Sequence, residues 1–339
     1  MNNDGFLDIA VANWGQVNRY YLSNGNSVSL AYTGADISSS DTQYSTSIAL
    51  GDLNNDGFLD IAIANSGAQR NKYYLSNGNS VSLAYTGADI SSDTQSSLSI
   101  ALGDLNNDGF LDIAVANSSG QVNKYYLSNG AVGGYAAGVN ISGDTDTSAS
   151  IALGDLNNDG FLDIAVANSG QVNKYYLSNR NAFALEYAGY DISADSQSSK
   201  SIALGDLNND GFLDIAVANY NQVNKYYLSN RNASALAYTG AEISSSDTQN
   251  SYSIALGDLN NDGFLDIAVA NEGDGNKYYL NNNTLSFTGA EISSDLQNST
   301  SIALGDLNND GFLDIAVANW KPSLFKSPRA MEMLSCMSS

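Results

Sequence analysis

The chain has 339 residues and a formal net charge of −23 at pH 7, from 36 acidic and 13 basic side chains. This charge disfavours nucleic acid and anionic membrane surfaces as partners, because both require a basic patch. The sequence has no histidine and one cysteine, Cys336, which excludes a disulfide framework and a thiolate metal site. No apolar stretch reaches the roughly 18 residues of a membrane span, so we expect no membrane insertion.

One string, Gly-Asp-Leu-Asn-Asn-Asp-Gly-Phe-Leu-Asp-Ile-Ala, recurs along the chain at intervals of 48 to 52 residues. A truncated further copy begins at Asn2. A period of this length predicts a repeat protein in which each unit buries its apolar faces against its neighbours. The complete copies begin at Gly51, Gly103, Gly154, Gly205, Gly257 and Gly305.

A single repeat, residues 46–92, predicts four strands in chain order. The first is small and apolar, and the second alternates isoleucine and alanine, so that both of its faces are apolar. The third is aromatic, and the pair Asn77-Gly78 that follows it is a hairpin signal. A serine-rich linker, Asp89 to Thr94, leads to the next repeat. The predicted strands are Ser47–Gly51, Leu59–Asn65, Lys72–Ser76 and Val81–Thr86.

Four strands in each period predict an all-β fold, a β-propeller of four-stranded blades. A stacked β-solenoid is the alternative, although its units are usually shorter. We expect seven blades with incomplete terminal blades, or alternatively six if the two ends of the chain share one blade. The propeller is expected over residues 1–320, followed by a non-repeat tail at 321–339 with one candidate element, a docking helix at Arg329–Met337.

The repeated string carries oxygen-bearing side chains at its first, third, fifth and ninth positions after the leading glycine, and a second glycine at the sixth. Asp52, Asn54 and Asp56 can converge if the chain turns sharply at Gly57, and Asp60 can close the site. Hard cations such as Ca²⁺ bind six to eight oxygens from carboxylates, amides, backbone and water. The spacing therefore predicts a calcium site in each copy.

The remaining positions complete this prediction. The carbonyl oxygen of Phe58 is expected to point towards the cation, whereas Leu53, Asn55 and Leu59 are expected to point away. An EF-hand is disfavoured, because it requires a glutamate at the twelfth position, where Ile63 stands. Mg²⁺ is disfavoured by its preference for a tight octahedron with bound water. The remaining alternative is that the Asp and Asn residues only form turns.

We predict about six calcium sites, with a weaker seventh in the truncated first copy. The ligands predicted in the complete copies are Asp52, Asn54, Asp56, Phe58, Asp60, Asp104, Asn106, Asp108, Phe110, Asp112, Asp155, Asn157, Asp159, Phe161, Asp163, Asp206, Asn208, Asp210, Phe212, Asp214, Asp258, Asn260, Asp262, Phe264, Asp266, Asp306, Asn308, Asp310, Phe312 and Asp314. Those of the truncated copy are Asn2, Asp4, Phe6 and Asp8.

The string Asp-x-Asn-x-Asp-Gly-x-x-Asp followed by Ile-Ala-Val-Ala-Asn resembles the FG-GAP and VCBS repeats, which include the calcium-binding blades of integrin α-subunit propellers. The resemblance covers residues 1–320. It departs from the usual family motif at Asn54 and its equivalents, where aspartate is more common. The resemblance implies calcium in the loop between the first two strands of a blade, with ligands bound on the opposite face.

The loops that vary between repeats are the candidate binding surface. Trp14 and Tyr220 follow the second strand of their repeats, and Tyr44, Lys200 and Tyr252 lie in the linkers. We expect a non-catalytic, calcium-binding module for binding or adhesion, with a protein or glycan as its ligand. The alternatives are a lectin and an accessory domain of a larger calcium-dependent enzyme. We expect an extracellular or cell-surface location; no signal peptide is visible, and the chain opens inside a repeat like a fragment.

Overall fold

A computed structural model describes residues 1–130, 134–282, 284–292 and 298–320, together with the backbone of Met331–Leu334. Within these residues the secondary structure is all β, without a helix. The chain divides into two compact units, and residues of the fourth repeat belong to both. The first unit comprises Met1–Leu153, Gly160–Val166 and Tyr175–Tyr190; the second comprises Gly154–Asp159, Ala167–Lys174 and Asp191–Ser339.

The first three repeats form three antiparallel sheets in which neighbouring strands follow one another along the chain. The first sheet has three strands, β1 (Ile9–Val11), β2 (Arg19–Ser23) and β3 (Tyr32–Asp36). The second has four, β4 (Ser45–Gly51), β5 (Asp60–Asn65), β6 (Lys72–Ser76) and β7 (Tyr85–Asp89). The third has β8 (Ser97–Gly103), β9 (Asp112–Asn117), β10 (Lys124–Tyr126) and β11 (Val139–Asn140).

The next sheet combines two repeats in six strands, and two further sheets complete the array. The six strands are β12 (Ser148–Gly154), β13 (Asp163–Ser178), β14 (Tyr187–Gly205), β15 (Asp214–Asn219), β16 (Lys225–Ser229) and β17 (Tyr238–Glu242). The following sheet has β18 (Ser251–Gly257), β19 (Asp266–Asn271), β20 (Lys277–Asn281) and β21 (Phe287–Glu291). The last has β22 (Asn298–Gly305), β23 (Asp314–Trp320) and β24 (Met331–Leu334).

The all-β chain of propeller blades is confirmed, but the predicted blade number is wrong. The described residues form five blades of three or four strands and one continuous six-stranded sheet, rather than seven or six four-stranded blades. The prediction assumed that every serine-rich linker interrupts a strand. In β14 the linker at residues 193–198 stays within the strand, so two repeats share one sheet.

Two local predictions are also corrected. The fourth strand of the second repeat is β7 rather than Val81–Thr86, because Asn79 Oδ1 accepts the N–H groups of Val81 and Ser82 at 3.0 Å and keeps them in a loop. That loop closes where Asn77 N–H donates to the Ala84 carbonyl. The prediction of a docking helix at Arg329–Met337 is wrong at Met331–Leu334, because these residues form a strand paired with β23. Cys336 lies outside the described residues.

The second strand is buried on both faces in five repeats, throughout β5, β9, β15 and β19 and in the first six residues of β13, as its alternating residues predict. Ile61 and Ile63 of β5 are fully buried in one cluster with Tyr20 and Tyr74. The alanines Ala62 and Ala64, on the other face, pack in a second cluster that includes Ile100, Ile113 and Val115 of the next repeat. The isoleucine face of the strand thus packs on one neighbouring repeat and the alanine face on the other. Because alanine side chains are small, adjacent repeats approach closely.

A glycine at the end of the first strand permits this close approach. A Cβ at Gly51 would lie 2.5 Å from Cδ1 of Leu111 in the next repeat, a separation that van der Waals contact forbids. Gly103 faces Leu162 in the same way, at 2.6 Å. The leading glycine of the repeated string is therefore required by packing between repeats.

Buried asparagine and serine side chains join neighbouring repeats through hydrogen bonds. In the first unit, Asn71 Nδ2 donates to Ser97 Oγ at 2.8 Å, and Ser97 Oγ donates to Asn117 Oδ1 at 2.8 Å. Asn117 N–H donates to Asn123 Oδ1, whose Nδ2 reaches Ser148 Oγ of the following repeat. The second unit repeats this pattern from Asn224 through Ser251. Buried polar side chains thus join each of these repeats to the next.

We predict that Asn117→Ala lowers the free energy of unfolding by about 2–3 kcal/mol, because the buried Ser97 hydroxyl loses the acceptor of its proton and the Val122 carbonyl loses the Asn117 donor. Urea unfolding followed by circular dichroism measures the change. The exposed Ser80→Ala serves as control and should change the midpoint little. A loss below about 0.5 kcal/mol would show that the buried hydrogen bonds contribute no net stability.

Candidate metal-binding loops

The repeated string forms the loop between the first two strands of each repeat. In the second repeat this loop leaves β4 at Gly51 and enters β5 at Asp60. The predicted sharp turn is present, because Gly57 has a φ of 87° and Asn55 one of 57°. These are left-handed conformations, which glycine and asparagine adopt most readily. The loop at residues 104–112 has the same two turns, at Asn107 and Gly109.

The predicted ligand side chains come together within the loop and organise its backbone. Asp52 accepts the N–H of Asp56 on Oδ1 at 2.9 Å and the N–H of Gly57 on Oδ2 at 2.7 Å. Asp56 Oδ1 accepts the N–H of Phe58 at 2.9 Å. Asn54 Oδ1 accepts the N–H of Asp56 at 3.1 Å. The side chains at the first, third and fifth positions thus surround one turn of backbone.

The last aspartate of the loop is buried and joins the loop to the third strand. Asp60 Oδ2 accepts the N–H of Leu53 at 2.9 Å, and Oδ1 accepts the N–H of Ser76 at 2.7 Å. Asp112 repeats this arrangement with Leu105 and Ser128. Both aspartates are fully buried. The ninth position therefore holds a carboxylate inside the protein, with a backbone donor on each of its oxygens.

Burial of these carboxylates makes their ionisation unfavourable. Burial raises the pKa of Asp112 to about 7. The hydrogen bonds from the Ser128 and Leu105 N–H groups oppose this rise, and the charges of Asp108 and Asp104 add to it. The pKa of Asp60 rises to about 6 for the same main reason. Because the folded chain then binds these protons more tightly than the unfolded chain, their ionisation costs stability as pH rises above about 4. A nearby cation would offset this cost.

The loop at residues 155–163 contains an unsatisfied oxygen. Asn157 is 2% exposed, and its Oδ1 accepts no hydrogen bond. In the loop at 104–112, by contrast, Asn106 Oδ1 accepts the N–H of Asp108. Leaving a buried amide oxygen unpaired is costly. An oxygen without a donor, in a loop that also carries Asp155 and Asp159, fits the donor set of a hard cation.

Carboxylates alone do not complete a metal site here. Among the described residues, no three histidine, cysteine or acidic side chains are placed so that they could hold a metal ion by themselves. The loops therefore fit a cation only if the asparagine amides and the phenylalanine carbonyls also serve as ligands, as the sequence predicts. The truncated first loop retains part of this geometry, since Phe6 N–H donates to Asp4 Oδ1 and Ser23 N–H to Asp8 Oδ1.

The fourth residue of each loop has a role that the sequence analysis missed. Asn55, expected to point away from the site, donates from Nδ2 to the carbonyl of Gly109 in the next loop at 2.9 Å. Successive loops are therefore connected in series by a side chain. The recurrence of asparagine at this position was the available signal, but its partner lies 54 residues away. The same bond is made by Asn3 to Gly57, Asn107 to Gly160, Asn158 to Gly211, Asn209 to Gly263 and Asn261 to Gly311.

Aromatic side chains meet at the other end of the second strand. Trp14 and Tyr44 stack with ring centroids 4.9 Å apart and planes inclined by 19°, and they are 51% and 43% exposed. Tyr220 and Tyr252 meet edge to face at 5.6 Å, with the Lys200 ammonium 5.5 Å from the Tyr220 ring. The variable loop and the linker named in the sequence analysis are thus neighbours in the structure.

We predict that Asn55→Gly lowers the free energy of unfolding by about 1 kcal/mol, through loss of the bond to the Gly109 carbonyl. Glycine accepts the positive φ of this position without strain, so the substitution introduces no strain into the folded loop. Amide hydrogen exchange should accelerate in the loop at 104–112, which Asn55 does not belong to. Unchanged exchange there would mean that the loops are not coupled.

The comparisons with known proteins identify the repeat. Six consecutive copies of the FG-GAP-like repeat match the chain, at residues 1–63, 52–115, 104–166, 155–217, 206–269 and 258–317. The comparison with curated proteins finds no relative that matches the chain. Within the part of the chain that the structure describes, no helix is long and apolar enough to cross a membrane.

The predicted likeness to integrin α-subunits stays a prediction. The matched copies extend from residue 1 to residue 317, and the chain belongs to the FG-GAP repeat family.

Proposed function

We propose that the chain is a calcium-binding, non-catalytic binding module that acts outside the cell or at its surface. In this proposal the loops between the first and second strands hold Ca²⁺ through Asp and Asn side chains and a phenylalanine carbonyl. The variable loops at the other end of the second strand contact the ligand. A non-catalytic role accords with the absence of histidine from the sequence, since histidine is the commonest general base.

The observation that carries the calcium proposal is the unpaired Oδ1 of the buried Asn157. A bound cation would satisfy this oxygen and would also neutralise the repulsion among the carboxylates of the same loop. The 20 acidic residues within the repeated loops account for most of the 36 in the chain, so the charge lies where cations are needed. Sites of this kind in extracellular modules bind Ca²⁺ with dissociation constants of about 10⁻⁴–10⁻³ M, which suits an extracellular location.

We predict that isothermal titration finds more than one and up to six calcium ions per chain, and that Asp108→Ala removes one of them. Asp108 would supply a central ligand, and its loss leaves Asp104 and Asp112 without a shared cation. Chelation should lower the melting temperature, because each site stabilises the folded chain by about 2.7 kcal/mol at 100 times its dissociation constant.

The control for Asp108→Ala is Asp36→Ala, which removes the same charge from β3, outside the loops. It should leave the number of bound calcium ions unchanged. Equal stoichiometry in the parent and in Asp108→Ala would refute the ligand assignment. A melting temperature that does not respond to excess EGTA would instead favour the turn-only alternative.

A lectin is the second candidate, favoured by the exposed Trp14–Tyr44 stack. Exposed aromatic rings on a rigid scaffold can stack on the apolar face of a sugar, and neighbouring amides can bind its hydroxyls. Gln69 lies beside the stack, where its Oε1 accepts the Tyr44 N–H at 2.7 Å. Protein ligands, and a role as accessory domain of a larger calcium-dependent enzyme, are the remaining alternatives.

We predict that Trp14→Ala abolishes glycan binding detected on an array, whereas Val28→Ala, at a still more exposed position in another loop, does not. Tryptophan fluorescence should change when the glycan binds, because Trp14 would lie in contact with it. The absence of any array signal from the calcium-loaded parent chain would rule out the lectin and leave a protein ligand.

A further inference from the structure

A side-chain cation lies against the candidate metal loop at residues 206–214. In the loop at residues 206–214, Arg231 Nε donates to Asp210 Oδ2 at 2.6 Å. The second oxygen of Asp210, Oδ1, accepts the N–H of Phe212 at 2.9 Å. The carboxylate at the fifth ligand position of this loop is therefore already bonded on both oxygens, once to a guanidinium.

The arginine also changes the environment of this carboxylate. The Asp210 side chain is 7% exposed beneath Arg231, whose own side chain is 62% exposed. The equivalent residues Asp56 and Asp108 are exposed. Gly78 and Gly130 stand at the place of Arg231 in those repeats, after the same Ser-Asn pair. In the repeat of Asp210, where Arg231 stands in place of glycine, the fifth ligand position is covered.

The backbone at this position favours glycine, yet arginine occupies it. Arg231 has a φ of 59° and Gly78 one of 65°. In both repeats the N–H of this residue donates to a serine hydroxyl two residues earlier, Ser229 or Ser76. The two hairpins therefore share one conformation, which a residue with a Cβ adopts only at a cost. The ion pair with Asp210 is a compensating interaction that the glycine repeats lack.

We propose that the guanidinium of Arg231 is a built-in counter-ion that excludes the divalent cation from the loop at residues 206–214. The proposal rests on the calcium binding proposed above for the other loops. A divalent cation that uses Asp210 as a ligand must either displace the guanidinium or lie within a few ångströms of it, where two positive charges repel. The loops of this chain then differ in occupancy although their ligand residues are identical.

The experiment compares the parent chain with Arg231→Gly and Arg231→Gln. The glycine variant reproduces the Ser-Asn-Gly hairpin of the second repeat, and the glutamine variant keeps a long side chain at the same φ without its charge. Isothermal titration with CaCl₂ should give one additional calcium per chain in both variants, or an affinity of that loop raised at least about tenfold. The reverse variant Gly78→Arg should remove one calcium by covering Asp56.

A second measurement does not require calcium. In EDTA, Arg231→Gln should lower the melting temperature, because it leaves the shielded Asp210 carboxylate without a counter-ion, and 0.5 M KCl should reduce the difference. If the parent binds calcium and both Arg231 variants bind the same number with the same affinities, the inference is wrong while the proposed function stands. If neither the parent nor any variant binds calcium, the proposed function is wrong and this inference with it.

Discussion

The hydrogen bond from an asparagine amide in one repeat to a buried serine hydroxyl in the next is the constraint on which the array depends. Asn71 and Ser97 lie on different repeats, and both are buried. A buried polar group without a partner costs more than a typical hydrogen bond contributes, so the two repeats cannot slide without a penalty. Apolar packing alone would tolerate such a shift, because it has no preferred direction.

The candidate metal-binding loops depend on this fixed spacing. Because β4 and β5 are held between their neighbours, the loop that joins them ends at a buried aspartate, Asp60, bonded to Ser76 of the third strand. The loop can then carry several carboxylates at the surface, since its two ends are already determined. A cation beside the loop would offset the repulsion among these carboxylates, and in the loop at residues 206–214 the guanidinium of Arg231 lies against Asp210.

The buried strands and the sharp turns of the loops could be predicted from the sequence. The alternation of Ile61 and Ile63 with alanine indicates a strand buried on both faces, and the glycine at 57 indicates the sharp turn. These are local patterns, which depend on neighbouring residues only. The blade number depends on whether the linker within β14 stays extended, and that is decided by tertiary pairing.

The contacts of the candidate site that the sequence did not predict also depend on residues distant in the chain. Asn55 and Gly109 are 54 residues apart, and Arg231 reaches Asp210 across 21 residues, so neither contact belongs to a local motif. The Asn77-Gly78 pair predicted a hairpin turn with the next strand from Val81, but the Asn79 side chain holds a longer loop. In each case a side chain determined a structure that the backbone pattern alone left open.

The fit of Gly51 against Leu111 has a consequence for the length of the array. Gly103 faces Leu162 in the same way, and Gly205 faces Leu265, since a Cβ added to either glycine would lie 2.6 Å from the leucine Cδ1. Each of these repeats therefore presents the same surface to the repeat that follows it. The contact does not depend on the position of a repeat in the chain. Chain order alone assigns neighbours, so duplication or deletion of a whole repeat would create no unfamiliar junction at this contact. Such an array can change in length by genetic recombination between its own copies while every remaining contact of this kind is kept.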